Sequence, residues 1–213
     1  MVLLDLRKAY DSVWSDGLIY KLMKFNYPNY LIKLIYSFLQ NRFAYVSVNN
    51  ADSADYLVPA GAPQGSVIAP HLFNVFINDI PIPEKGNLAL FADDTAYFIE
   101  SRWKDLKYIK NHLISALNVF QSFFSDWKIF LNHNKTEFIV FSKSTKMLNK
   151  CESDVITFNN LTFNWKSHVK YLGVILDSKL LFKKHVDFVL GRANLNLFIV
   201  FLVKILLHPP IPN

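Results

Sequence analysis

The 213 residues are 52% hydrophobic and 19% charged, below the usual share of about 25% charged, which excludes a disordered chain and provides for a buried core. A formal charge of +6 favours a polyanionic partner, nucleic acid foremost, without identifying one. The single cysteine, Cys151, excludes an intrachain disulfide framework and a cysteine-rich zinc site, so the expected location is intracellular, nucleus or cytoplasm, and not secreted.

The opening "MVLLDL" meets an acid at Asp5 and lacks the long apolar core of a secretory leader. It reads as a strand over Val2 to Leu6. Ser15 and Asp16 are placed to cap a short helix, and a second helix starts near Pro28 with Leu31, Ile35, Phe38 and Leu39 at helical spacing. "FAYVSVNN" alternates like a strand and turns at Asn49 and Asn50. "VPAGAPQGSVIAP" is punctuated by Gly and Pro, hence a loop, and leads into a helix with Leu72, Phe76 and Ile80 on its apolar face.

"LALFADDTAYF" reads as two strand halves meeting near Asp93 and Asp94. Ser101 is the expected cap of the longest helix, whose apolar face runs from Leu106 through Leu113 and Phe120 to Trp127. "NHNKTEFIVF" is a turn into a strand, "ITFNNLTF" a hairpin on Asn159 and Asn160, and "VKYLGVILD" one further strand. The apolar stretch Leu195 to Leu207 is shorter than the roughly 20 residues that span a bilayer and contains Lys204, so it is expected to be a packing helix and no membrane partner is expected. Helices and hairpins interleave without a regular βαβα rhythm, which makes the expected class α+β, an antiparallel sheet backed by helices.

Two adjacent carboxylates in an apolar run need an explanation. Side chains alternate across a regular strand, so Asp93 and Asp94 share a face only if a turn falls at the pair. Desolvation and a like-charged neighbour both oppose ionisation, and a bound cation reverses that balance. Asp5 ends another apolar strand, and together the three acids offer oxygen-only ligands, suited to Mg²⁺ rather than zinc. The six histidines show no metal-ligand spacing. Asp also favours turns, so a polar hairpin turn without chemistry explains the pair equally well when it is taken alone.

"LLDLRKAYDSVW", "AGAPQGSVIAPHLFNVFINDIP", "LALFADDTAYF", "NHNKTEFIVF" and "VKYLGVILD" occur in this order. Together they resemble the palm of a reverse transcriptase of the non-LTR, jockey-like retrotransposon type, over nearly the whole chain from Val2 to about Lys184. The resemblance implies a right-hand polymerase palm over 1–177 and the start of a thumb-like helical segment over 178–213. It implies RNA-directed DNA synthesis, with an RNA template, a DNA primer and dNTP as partners. Two Mg²⁺ ions, with Mn²⁺ a possible substitute, are implied as cofactors held by the catalytic carboxylates Asp5, Asp93 and Asp94. Such ions sit about 3.5–4 Å apart in two-metal sites.

The same resemblance implies contacts to the incoming dNTP from Tyr10, Gln64, Gly65 and Lys135. Tyr10 would be the flat ring that excludes a 2′ hydroxyl, and Lys135 a cation near the departing pyrophosphate. Tyr171, Leu172 and Gly173 match a hairpin that grips the primer end. Asp11 reads as a local cap or turn former, Ser66 as a cap for the helix near Val67, and Lys179, Lys183, Lys184 and His185 as a basic cluster facing either a duplex backbone or solvent.

In this family a fingers region precedes the first motif, and here Asp5 is four residues from Met1, so the sequence reads as a fragment with little or no activity alone. Three other readings stay open. A non-catalytic nucleic-acid-binding remnant would retain the charge and lose the chemistry. A two-metal nuclease or phosphatase could use the same acids, but would leave "GAPQGS" and "KYLG" without a role. An RNA-templated RNA polymerase is disfavoured by Tyr10.

Overall fold

A computed structural model of the chain describes residues 1–101 and 105–194. Strand β1 (Val2–Leu4) is followed by helices α1 (Ser15–Lys24) and α2 (Asn29–Leu39). Short strands β2 (Phe43–Ala44), β3 (Ser47–Val48), β4 (Ala51–Asp52) and β5 (Tyr56–Leu57) lead to helix α3 (Ala69–Ile77). Strands β6 (Asn87–Phe91) and β7 (Asp94–Phe98), the long helix α4 (Leu106–Asp126), β8 (Glu137–Ile139) and α5 (Thr145–Glu152) come next. The hairpins β9 (Val155–Phe158) with β10 (Leu161–Lys166), and β11 (His168–Tyr171) with β12 (Val174–Asp177), follow. A helix then runs over 183–194.

Six strands form the central sheet, in the order β6-β7-β1-β8-β10-β9. Every neighbouring pair is antiparallel except β8 with β10, which is parallel, so the α+β expectation holds with one parallel pair added. Strand alternation divides the sheet's side chains between two layers. Val2, Leu4, Tyr97 and Phe138 join the main core under the helices, whereas Leu3, Ala96 and Ile139 meet Val169 of the β11–β12 hairpin on the other side. Helix α4 supplies Leu113, Leu117, Phe120 and Phe124 to the main core, with Phe120 edge-on to Tyr97 at 5.5 Å between ring centroids.

Several boundaries differ from those the sequence suggests. β1 ends at Leu4, and Leu6 makes only an isolated bridge to Leu131. Ser15 and Asp16 are the first residues of α1 rather than its cap, a position held by Trp14 without a side-chain hydrogen bond. Asp105 instead of Ser101 caps α4, accepting from the Lys107 amide at 2.9 Å. Phe38 is exposed, because the buried face of α2 is Ile32, Ile35 and Leu39. "FAYVSVNN" is not one strand: β2 pairs with β5, and β3 turns back on β4 through Asn49 and Asn50, both at positive φ.

"VKYLGVILD" is a hairpin rather than a strand, reversing at Leu172 (φ 47°) and Gly173 (φ 84°). The expected Asn159–Asn160 hairpin is present, with φ of 50° and 62° matching a two-residue primed turn. Beyond β12, the Asp177 carboxylate accepts the amides of Lys179, Leu181 and Phe182. Burial pushes this carboxyl up, yet those amide bonds outweigh it and hold the group below the usual Asp value. Among the described residues no helix is long and apolar enough to cross a membrane. The apolar stretch 195–207 lies outside the described residues.

Candidate active site

The acids are brought together by strand register. β1 pairs with β7 so that Leu4 lies opposite Thr95. Asp5, one residue beyond Leu4, and Asp94, one before Thr95, therefore face each other where the ladder ends. β6 and β7 are joined by a two-residue turn, Ala92 and Asp93, with Phe91 paired to Asp94. Ala92 takes φ 52°, a left-handed conformation that costs a non-glycine residue on the order of 1–3 kcal/mol and clusters at functional sites. The turn thus breaks strand alternation at the acids, as the sequence required.

Asp5 is tethered twice to the segment after α4. Its main-chain oxygen accepts from the Asn132 amide at 2.8 Å, and its carboxylate accepts from Asn132 Nδ2 at 2.9 Å. Lys135 Nζ, on the short 3₁₀ turn His133–Lys135, lies 3.7 Å from the same carboxylate. Asp94 is held above its ordinary carboxyl range, by desolvation first and then by the charges of Asp93 and Asp5. A cation placed among the three acids would relieve that repulsion.

Two polar recesses meet at Asp5 and Lys135. One, of about 550 Å³, is lined by Asp5, Asp93, Tyr10 and Gln64, together with the basic Arg7 and Lys8. The other, of about 340 Å³, is lined by Asp5, Asp94, Lys170 and Tyr171. Tyr10 stacks on Phe73 at 4.9 Å between centroids and contributes to the first recess as well as to the core edge. Tyr171 lines the second recess beside Asp5 and Asp94, and its phenol is pushed up by burial and then by the Asp94 charge. A larger apolar cavity of about 560 Å³ lies between the β6–β7 hairpin and Phe141, Met147 and Leu176. Its walls lack the cluster of charged groups that phosphate chemistry needs, so the polar recesses are the candidate site.

Not every expected residue reaches the recesses. Gly65, at φ 82° and open to space, and the exposed turn residues Leu172 and Gly173 are outside their linings. Among the described residues no group of three or more His, Cys, Asp or Glu is gathered closely enough to hold a metal ion. Asp5 instead shares one recess with Asp93 and the other with Asp94. Ser66 is not the cap of α3, a position held by Ile68 without a side-chain bond; from two residues earlier it accepts from the Ala69 amide at 3.2 Å and donates to the Pro63 carbonyl at 2.8 Å.

Sequence reading missed Asn132, which fixes Asp5 from 127 positions away, and Lys170, which has no motif of its own. Asp11 lies in the turn over 7–12, as expected, but its carboxylate accepts from Gln64 Nε2 at 2.6 Å, a long-range partner that the sequence did not announce.

Residues 1–176 match the sequence profile of the family described as reverse transcriptase (RNA-dependent DNA polymerase). The chain belongs to the reverse transcriptase family. This reverse transcriptase sequence is 33% identical over 191 residues to the RNA-directed DNA polymerase from mobile element jockey of Drosophila melanogaster, covering 86% of the chain and 20% of that protein. It is 32% identical over 200 residues to a probable RNA-directed DNA polymerase from transposon X-element of the same species, covering 90% of the chain and 21% of that protein. The jockey polymerase of Drosophila funebris matches at 32% over 191 residues, covering 86% of the chain and 20% of that protein. The chain spans about one fifth of the length of these curated relatives.

Proposed function

We propose that this chain is the catalytic palm of an RNA-directed DNA polymerase from a jockey-like mobile element, with residues 1–177 forming the palm and 178 onward beginning a thumb. The observation that carries the reading is the meeting of Asp5, Asp93 and Asp94 at one sheet end, between a recess with Tyr10 and Gln64 and a recess with Tyr171. Two recesses joined at Asp5, with Asp93 on one and Asp94 on the other, suit a reaction that joins two substrates. The incoming dNTP occupies the Tyr10 side and the primer end the Tyr171 side.

An all-oxygen donor set fits hard divalent ions, Mg²⁺ with Mn²⁺ as a substitute. When bound, such ions neutralise phosphate charge and lower the pKa of the attacking hydroxyl. The chain's own groups position the reactants. Asn132 holds the Asp5 carboxylate, and Lys135, with Arg7 and Lys8 on the same recess, supplies positive charge for a triphosphate. Tyr10, backed by Phe73, presents a rigid ring edge where a 2′ hydroxyl would collide. RNA template, DNA primer and dNTP are thus the proposed substrates, and the +6 charge suits the polyanionic ones.

The test is extension of a primed RNA template with Mn²⁺ and either deoxy- or ribonucleotides. The chain alone is expected to add dNTP only weakly. That template-directed addition is expected to disappear in Asp93→Ala, and Tyr10→Ala is expected to narrow the preference for dNTP over rNTP by at least about 10-fold, the effect of losing roughly 1.4 kcal/mol of discrimination. Addition that survives Asp93→Ala contradicts the catalytic role of Asp93, and an unchanged sugar preference contradicts the role of Tyr10.

A second reading, a non-catalytic nucleic-acid-binding remnant, is favoured by the formal charge of +6, which suits a polyanionic partner with or without chemistry. It predicts duplex binding that survives loss of both Asp5 and Asp93, with no synthesis.

A further inference from the structure

The loop bearing Gln64 is clasped to the turn bearing Tyr10 at several points. The Gly61 amide donates to the Val13 carbonyl and the Ala62 amide to the Tyr10 carbonyl, each at 2.8 Å. Gly61 makes this approach possible: its φ is +93°, and a Cβ there would lie 2.8 Å from the Asp11 Cα and carbonyl oxygen. From the other side, one guanidinium nitrogen of Arg42 donates to the carbonyls of Ala60 and Gly61 at 2.6 and 2.7 Å. The backbone of the loop is therefore fixed relative to Tyr10 before any ligand enters.

The side chain of Gln64 is fixed as well. Gln64 Nε2 donates to Asp11 Oδ1 at 2.6 Å. A carboxylate only accepts, so the amide must turn its nitrogen toward Asp11, and this settles the orientation of a group whose two ends otherwise look alike. Gln64 Oε1 is then the end left for the recess it shares with Tyr10 and Asp93. An acceptor held there by a charge-assisted bond recognises a donor on the ligand.

We infer that Asp11 is a positioning residue for nucleotide binding, orienting Gln64 so that its side-chain oxygen accepts from a hydroxyl of the bound nucleotide. This inference rests on the polymerase reading of the recess. Asp11 acts only through Gln64, which gives it a signature that a purely structural residue lacks. Asp11→Asn keeps an oxygen that can accept from Gln64 Nε2, whereas Asp11→Ala releases the amide to rotate. The effect of Asp11→Ala must also vanish once Gln64 is removed.

The experiment is calorimetric titration of the 213-residue chain with dTTP in the presence of Mn²⁺, for the unaltered protein, Asp11→Ala, Asp11→Asn, Gln64→Ala, the Asp11→Ala/Gln64→Ala pair and Asp93→Ala. Asp11→Ala is expected to weaken dTTP binding about 5- to 10-fold, the range for losing one oriented hydrogen bond. Asp11→Asn, whose amide can accept from Gln64 but can also donate to it when turned, is expected to fall between the unaltered chain and Asp11→Ala, and the double variant to match Gln64→Ala. Binding that depends on Asp93 but is indifferent to Asp11→Ala, or Asp11 and Gln64 effects that simply add, overturns this inference and leaves the polymerase reading standing. Binding indifferent to Asp93→Ala overturns both.

Discussion

Asp93→Ala is expected to lower metal-dependent nucleotide incorporation by about 10³-fold or more. The size follows from what the carboxylate does. Removing one group that stabilises charge in a transition state costs roughly 10²–10³ in rate, and in the proposed reaction the same change would also remove a ligand from the divalent ions. Asp93 sits in the two-residue turn between β6 and β7, exposed enough that truncation leaves little cavity, so the fold should survive. A steady-state incorporation assay beside a thermal melt checks this. Lost activity with an unchanged Tm supports the assignment, and equal loss of both contradicts it.

Lys21→Ala is expected to have the opposite profile, a large loss of stability. The Lys21 side chain is fully buried, where a cation is tolerated only with close partners. Its ammonium donates to the Phe76 carbonyl and to Asp79. It also lies 3.7 Å from the Trp127 ring centroid and 4.7 Å from that of Phe123. One side chain thus ties α1 to the end of α3 and the end of α4. Breaking a buried pair costs about 3–5 kcal/mol, and the lower end applies because Asp79 keeps Lys24 at 3.1 Å and is partly exposed. About 3 kcal/mol corresponds to a fall in Tm of about 6–12 °C for a chain of this size. A change of less than about 2 °C contradicts the account.

Asp79 also contributes to the pH dependence. Burial pushes its carboxyl up, but the hydrogen bonds from Lys21 and Lys24 outweigh that and hold it below the ordinary Asp value. A folded-state pKa below the unfolded one gives stability that is fully present above the unfolded value, near 3.9, and lost as pH falls through the folded value. Lys21→Ala should therefore flatten this acid limb as well as lower its plateau.

How much of this could be read from the sequence depended on how local each cause was. The Asn159–Asn160 hairpin was legible because two turn residues dictate it. α2 was legible from its spacing of apolar residues and from Pro28 before it. The reversal in "VKYLGVILD" was legible only through the family resemblance, which implied a hairpin at Tyr171, Leu172 and Gly173, because the apolar pattern by itself reads as one strand. The acids were singled out by their unfavourable setting and by family resemblance, yet their meeting depends on the β1–β7 register. The Asn132 tether, the Lys21 cage and the Asp11–Gln64 bond join residues more than 50 positions apart. No local pattern announces such pairs, since each partner alone is an ordinary polar residue.

Asp5, Asp93 and Asp94 are proposed to hold divalent metal together for nucleotidyl transfer. Electron paramagnetic resonance of Mn²⁺ titrated into this chain with dTTP present tests that role. The expected result is two bound Mn²⁺ ions close enough to couple magnetically, with binding weakened at least about 10-fold in both Asp5→Ala and Asp93→Ala. Mn²⁺ binding that is the same in the unaltered chain and in both variants would contradict it.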